Sequence, residues 1–81
     1  MSNRLTMLLA TIFDMKSSDI KPTLTKDDIY KWDSLVQMEL VTAIENEFAI
    51  QMTMNDIVEI DSVQKIINIL AKYGVSINDG A

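Results

Sequence analysis

Two glycines and one proline are all the backbone punctuation in this chain of 81 residues. Tight turns draw heavily on both residue types, so a chain this poor in them is steered away from many short strands and toward helices. Hydrophobic spacing says where. Leu5, Leu8, Leu9 and Ile12 recur at i, i+3, i+4 and i+7, one face of a helix expected over 3–15. A second amphipathic segment covers 34–48, a short third one 55–60, and a fourth 62–73, where Val63, Ile66, Ile67 and Leu70 repeat the pattern. Gly74 suits the position just past a helix, and the closing NDGA is expected to fray.

The expected fold is therefore all-α. It is one domain over 1–81, a small antiparallel bundle of three long helices and one short helix. Between the first two helices lie 18 residues, KSSDIKPTLTKDDIYKWD. Pro22 and the serine, threonine and aspartate content rule out a continuous helix there. Connections longer than about 12–15 residues are uncommon unless they are functional or disordered. Ile20, Leu24, Ile29, Tyr30 and Trp32 supply apolar pegs, so an ordered loop is expected.

Composition narrows the chemistry. The chain has neither cysteine nor histidine, which removes thiolate nucleophiles, the usual general base and the commonest metal ligand. Twelve acidic residues against seven basic ones give a net charge of −5, which repels nucleic acid and favours basic protein patches as partners. The opening MSNRLTMLLATIFDMK lacks a small-residue cleavage site and reads as a helix of the domain. No stretch approaches the roughly 20 apolar residues that span a bilayer. A cytoplasmic monomer is the expectation.

The second helix has two faces. With ~100° between successive residues, Leu40, Val41, Ile44 and Phe48 fall together as a core stripe. Leu35, Met38 and Thr42 fall opposite, beside Glu39, Glu45 and Asn46. Exposed apolar groups rimmed by acids have the character of a docking surface, although scattered leucines on a solvated face are also ordinary. Met38, Met52 and Met54 read first as adaptable core filler.

Ser34 fits two roles. Ser34 and Gln37 have the spacing of a capping box, worth about 1 kcal/mol for the serine. Asp61-Ser62-Val63-Gln64 repeats the aspartate–serine pair at the start of the fourth helix. Three things set Ser34 apart. It follows the long loop, it heads the helix with the exposed apolar strip, and Trp32 flanks it. A helix N-terminus also welcomes an anion attached there.

These features resemble the acyl carrier protein family. The similarity runs through DSL, the helix VQMELVTAIENEF, the hydrophobic-acidic NDIVEI and the helix SVQKIINIL, and so spans nearly the whole chain. It implies an acyl-carrier-like bundle with no catalytic residues and no metal. Ser34 would bear 4′-phosphopantetheine, transferred from coenzyme A by a phosphopantetheinyl transferase, and the arm's thiol would hold an acyl group as a thioester. Asp33, Leu35, Val36, Met38, Glu39 and Glu45 would meet that transferase and acyl-activating, acyl-transferring or condensing enzymes with basic docking patches. Fatty-acid or secondary-metabolite synthesis is the implied setting. Val36 stands where fatty-acid members carry an acid, Asn46 and Ala49 are neutral, and Trp32 replaces a small residue, so a specialised, free-standing carrier is expected. An aminoacyl or peptidyl carrier and an unmodified helical adaptor are the alternatives.

Overall fold

The computed structural model describes residues 3–29 and 31–75. Four helices follow one another: α1 (Asn3–Phe13), α2 (Ser34–Phe48), α3 (Met54–Glu59) and α4 (Val63–Lys72). A short 3-10 helix over Ser17–Asp19 adds local structure that hydrophobic spacing does not announce. Tyr30 and the closing NDGA lie outside the described residues.

Each long helix buries the stripe that its spacing draws. α1 contributes Leu5, Leu9 and Phe13, with Leu8 and Ile12 half-buried at the flanks. α2 contributes Leu40, Val41 and Ile44, and α4 contributes Val63, Ile66, Ile67, Ile69 and Leu70. Each fully buried aliphatic or aromatic side chain adds about 1.5–3 kcal/mol, which is how so small a domain holds together. α1 and α2 run antiparallel. Arg4 at the start of α1 pairs with Glu47 at the end of α2, Nε to Oε2 2.9 Å, while Phe13 at the far end meets Trp32 just ahead of α2 with ring centroids 4.8 Å apart. Phe48, expected in the core stripe, is only half-buried because its ring lies under the Arg4 guanidinium, 4.8 Å from the centroid.

The three long helices stop in the same way. A residue in the left-handed region follows each, and the next amide reaches back five residues: Met15 to Ala10 past Asp14, Ile50 to Glu45 past Ala49, Val75 to Leu70 past Gly74. α1 therefore ends at Phe13, two residues short of the expected Met15. Only Gly74 takes this conformation without a Cβ penalty. Ala49, at φ 55°, carries a cost of about 1–2 kcal/mol that glycine would relieve, offset in part by the extra freedom of an unfolded glycine. Ala49→Gly is expected to raise the urea unfolding free energy by about 0.5–1 kcal/mol. A loss of stability would contradict this account of the α2 terminus.

The described residues of the long connection are ordered by their apolar pegs. Ile20, Ile29 and Trp32 are buried and Leu24 is half-buried. An isolated antiparallel bridge joins Thr25 to Ser62, with Lys26 N–H donating to Asp61 C=O and Val63 N–H donating to Leu24 C=O, both at 2.9 Å. The loop is thereby stitched to the turn between α3 and α4.

Candidate functional site

The two aspartate–serine pairs are used differently. At α4 the serine is the N-cap, its Oγ accepting from Lys65 N–H at 3.2 Å. At α2 the cap is Asp33, whose Oδ1 accepts from Val36 N–H at 2.9 Å while its C=O accepts from Gln37 N–H at 2.8 Å. Ser34 is therefore the first residue inside α2, and the expected Ser34–Gln37 capping box is not formed. The reason is a one-residue offset in helix entry. It gives capping to a carboxylate, the stronger acceptor, and leaves the Ser34 side chain exposed with no hydrogen bond to any described residue.

Beyond Ser34 the outer face of α2 matches expectation in part. Leu35 is 72% exposed and Met38 55%, with Glu39, Thr42 and Asn46 exposed beside them. Leu35, Met38, Glu39 and Thr42 line a shallow groove of about 550 Å³ against Ile12 and Ala43. Two expected docking residues sit elsewhere. Glu45 is half-buried, its carboxylate accepting from Met52 N–H at 2.8 Å, so it closes the turn after α2 instead of fringing the outer face. Val36 is half-buried and packs against the core. Of the methionines read as core filler only Met52 is buried; Met38 and Met54 are exposed, and Met54 stands with Val58 on the open side of α3.

Gln37 is a polar residue inside the apolar stripe of α2, 9% exposed. Its Oε1 accepts from the Trp32 indole N–H at 2.6 Å, and its Nε2 donates to the carbonyls of Ile57 at 2.9 Å and Ile60 at 3.2 Å. The side chain thus joins the residue before the Asp33 cap to the end of α3.

α3 is held at its other end by Asp56. Thr53 and Asp56 form a reciprocal capping box, so α3 starts at Met54, one residue ahead of expectation. The Asp56 carboxylate, 3% exposed, also receives hydrogen bonds from Lys72 Nζ and Tyr73 Oη of α4. These donors, Lys72 first and Tyr73 next, hold its pKa far below the ordinary carboxylate value of 3.8. The same bond to Asp56 raises Lys72 above 10.5 and Tyr73 above 10.0.

Residues 3–70 match the model of a family described as the phosphopantetheine attachment site, a match that runs from the first residue of α1 into the last turn of α4. The chain belongs to this family. Comparison with curated proteins gives no match. The chain is thus a phosphopantetheine carrier, of the broad class that includes acyl carrier proteins, and 4′-phosphopantetheine is its covalent group. The residues present fit that group. The carrier offers an exposed serine hydroxyl with no hydrogen-bond partner among the described residues, at a helix start whose first N–H groups and dipole favour a phosphodiester. Among its described residues there is no cluster of side chains suited to a metal ion, and no helix long and apolar enough to cross a membrane.

Proposed function

We propose that Ser34 is the residue to which the arm is attached, and that the cargo is an acyl group presented to partner enzymes. The observation that carries the reading is the division of labour at the start of α2: Asp33 takes the capping bond and the Ser34 hydroxyl is left exposed and uncommitted. In the transfer from coenzyme A, Ser34 Oγ forms the bond to phosphorus, its proton passes to a base of the transferase, and the nucleotide half departs. When bound, the arm supplies the thiol that the cysteine-free chain lacks. The chain's own residues hold and display that arm; the bond-making on the cargo belongs to the partners.

The test is incubation with coenzyme A and a broad-specificity phosphopantetheinyl transferase, read by intact mass and by peptide mapping. The expected result is one adduct, located at Ser34. An adduct mapped to another serine would overturn the site, and a folded chain that never gains one would favour the helical adaptor. Acyl cargo is favoured over an aminoacyl or peptidyl one by the resemblance of the DSL-headed helix. The group found on the thiol of carrier purified from its host separates these cargoes.

The docking surface is assigned to Asp33, Leu35, Met38 and Glu39, with Val36 beneath them as support. Acidic display toward basic patches speeds encounter more than it tightens the complex. Glu39→Lys is expected to slow turnover by carrier-using partners at low salt. The exposed position limits the stability change to about 0.5 kcal/mol. Unchanged turnover with helicity intact would remove Glu39 from this surface.

A further inference from the structure

An amide in the apolar stripe of α2 needs a reason. Burying Gln37 beside Leu40, Val41 and Ile44 is tolerable only because every polar atom of the side chain is bonded, and a well-packed apolar residue would serve stability as well. The gain is therefore in position. Trp32 and Gln37 lie on either side of Ser34 in the chain, and Trp32 is itself fixed, buried against Phe13. The two carbonyls that Gln37 grips flank Val58 and Glu59, at the end of α3. A helix of six residues has little stability of its own, so its placement depends on such ties.

We propose that Gln37 and Trp32 are positioning residues for arm transfer: their bridge holds α3 against the turn bearing Ser34, so that the transferase meets both as one preformed surface. The inference rests on the reading of Ser34 as the attachment residue. Without the bridge, α3 samples several placements and only a fraction of the carrier is ready to bind. Apparent affinity falls by that fraction while the step at the hydroxyl is unaltered. The effect therefore belongs in KM and not in kcat.

The experiment is steady-state arm transfer with varied carrier concentration. Gln37→Leu keeps the bulk and removes all three bonds. It is expected to raise KM about tenfold and to leave kcat within about twofold, in a chain that still unfolds cooperatively. Gln37→His supplies a further readout. A neutral imidazole has one acceptor and one donor, so it can receive the indole N–H and donate to a carbonyl. It should bring KM back to within about threefold of wild type at pH 8 and lose that rescue below about pH 6, where the charged ring cannot accept. The ratio to wild type at each pH cancels the titration of the transferase. A folded Gln37→Leu chain with the wild-type KM, or a fall in kcat at constant KM, overturns the proposal. If Gln37→Leu does not fold, Trp32→Phe decides, with an expected KM rise of about threefold, and an unchanged KM overturns the proposal. Wild-type carrier that takes no arm defeats the Ser34 reading itself, which separates that failure from a failure of the bridge.

Discussion

Ser34→Ala is expected to abolish arm transfer with little effect on stability, and Ser62→Ala to do the reverse. The two serines follow aspartates and head helices, yet only Ser62 is engaged in capping. Its loss leaves Lys65 N–H without the acceptor it has at 3.2 Å, at a cost of about 0.5–2 kcal/mol. Ser34 makes no such bond, because Asp33 accepts from Val36. Its truncation at an exposed first-turn position should change stability by no more than about 0.5 kcal/mol. Intact mass after transferase treatment and urea unfolding of each variant make the comparison. The crossed pattern matters because a poorly folded variant fails both measurements at once. An adduct on Ser34→Ala would refute the assignment.

The second large effect is expected at Asp56 and depends on pH. Its pKa is depressed in the folded chain, so its contribution is fully present above the ordinary carboxylate value of 3.8 and fades as pH falls from there toward the folded value. Stability of the wild type should drop more steeply between about pH 4 and pH 2 than that of Asp56→Asn. On the alkaline side Lys72 and Tyr73 are raised, so their contributions hold below 10.5 and 10.0 and vanish as pH climbs through the folded values. Asp56→Asn should flatten that limb as well. At neutral pH, Thr53→Ala removes one cap bond at about 1 kcal/mol, or about 4–8 °C in Tm. Asp56→Ala takes away the acceptor of three partners and should lower Tm further. Superimposable acid limbs for wild type and Asp56→Asn would show that the clasp contributes nothing.

Much of this arrangement is legible in the sequence because helical spacing is a local property. Leu5 with Leu9, Leu40 with Ile44, and Ile66 with Leu70 mark their helices and face inward as drawn. The head of α2 and the exposure of Leu35 and Met38 follow from the same geometry. What escapes depends on partners distant in the chain or on a single residue of phase. DSLV and DSVQ look alike, and which residue caps is decided by where each helix begins. Gln37 counts as polar in any helical wheel, and its inward turn needs Trp32 and the carbonyls of Ile57 and Ile60, which only folding brings near. Asp56 reads as a solvated acid until Lys72 and Tyr73 arrive from the end of α4. The Thr53–Asp56 spacing was the one local signal of that cluster, with aspartate in the place usually taken by glutamate.

The bridge between Thr25 and Ser62 has a consequence for biosynthesis. It encloses all of α2 and α3, so it forms only after both have been made and the chain beyond them has left the ribosome. Such non-local pairing comes late in folding, because chain closure must precede the contacts that reward it. Until then the loop leading to Ser34 is not stitched down. A chain truncated before α4 lacks the Val63 N–H that donates to Leu24, so only the finished domain holds this loop by both backbone bonds.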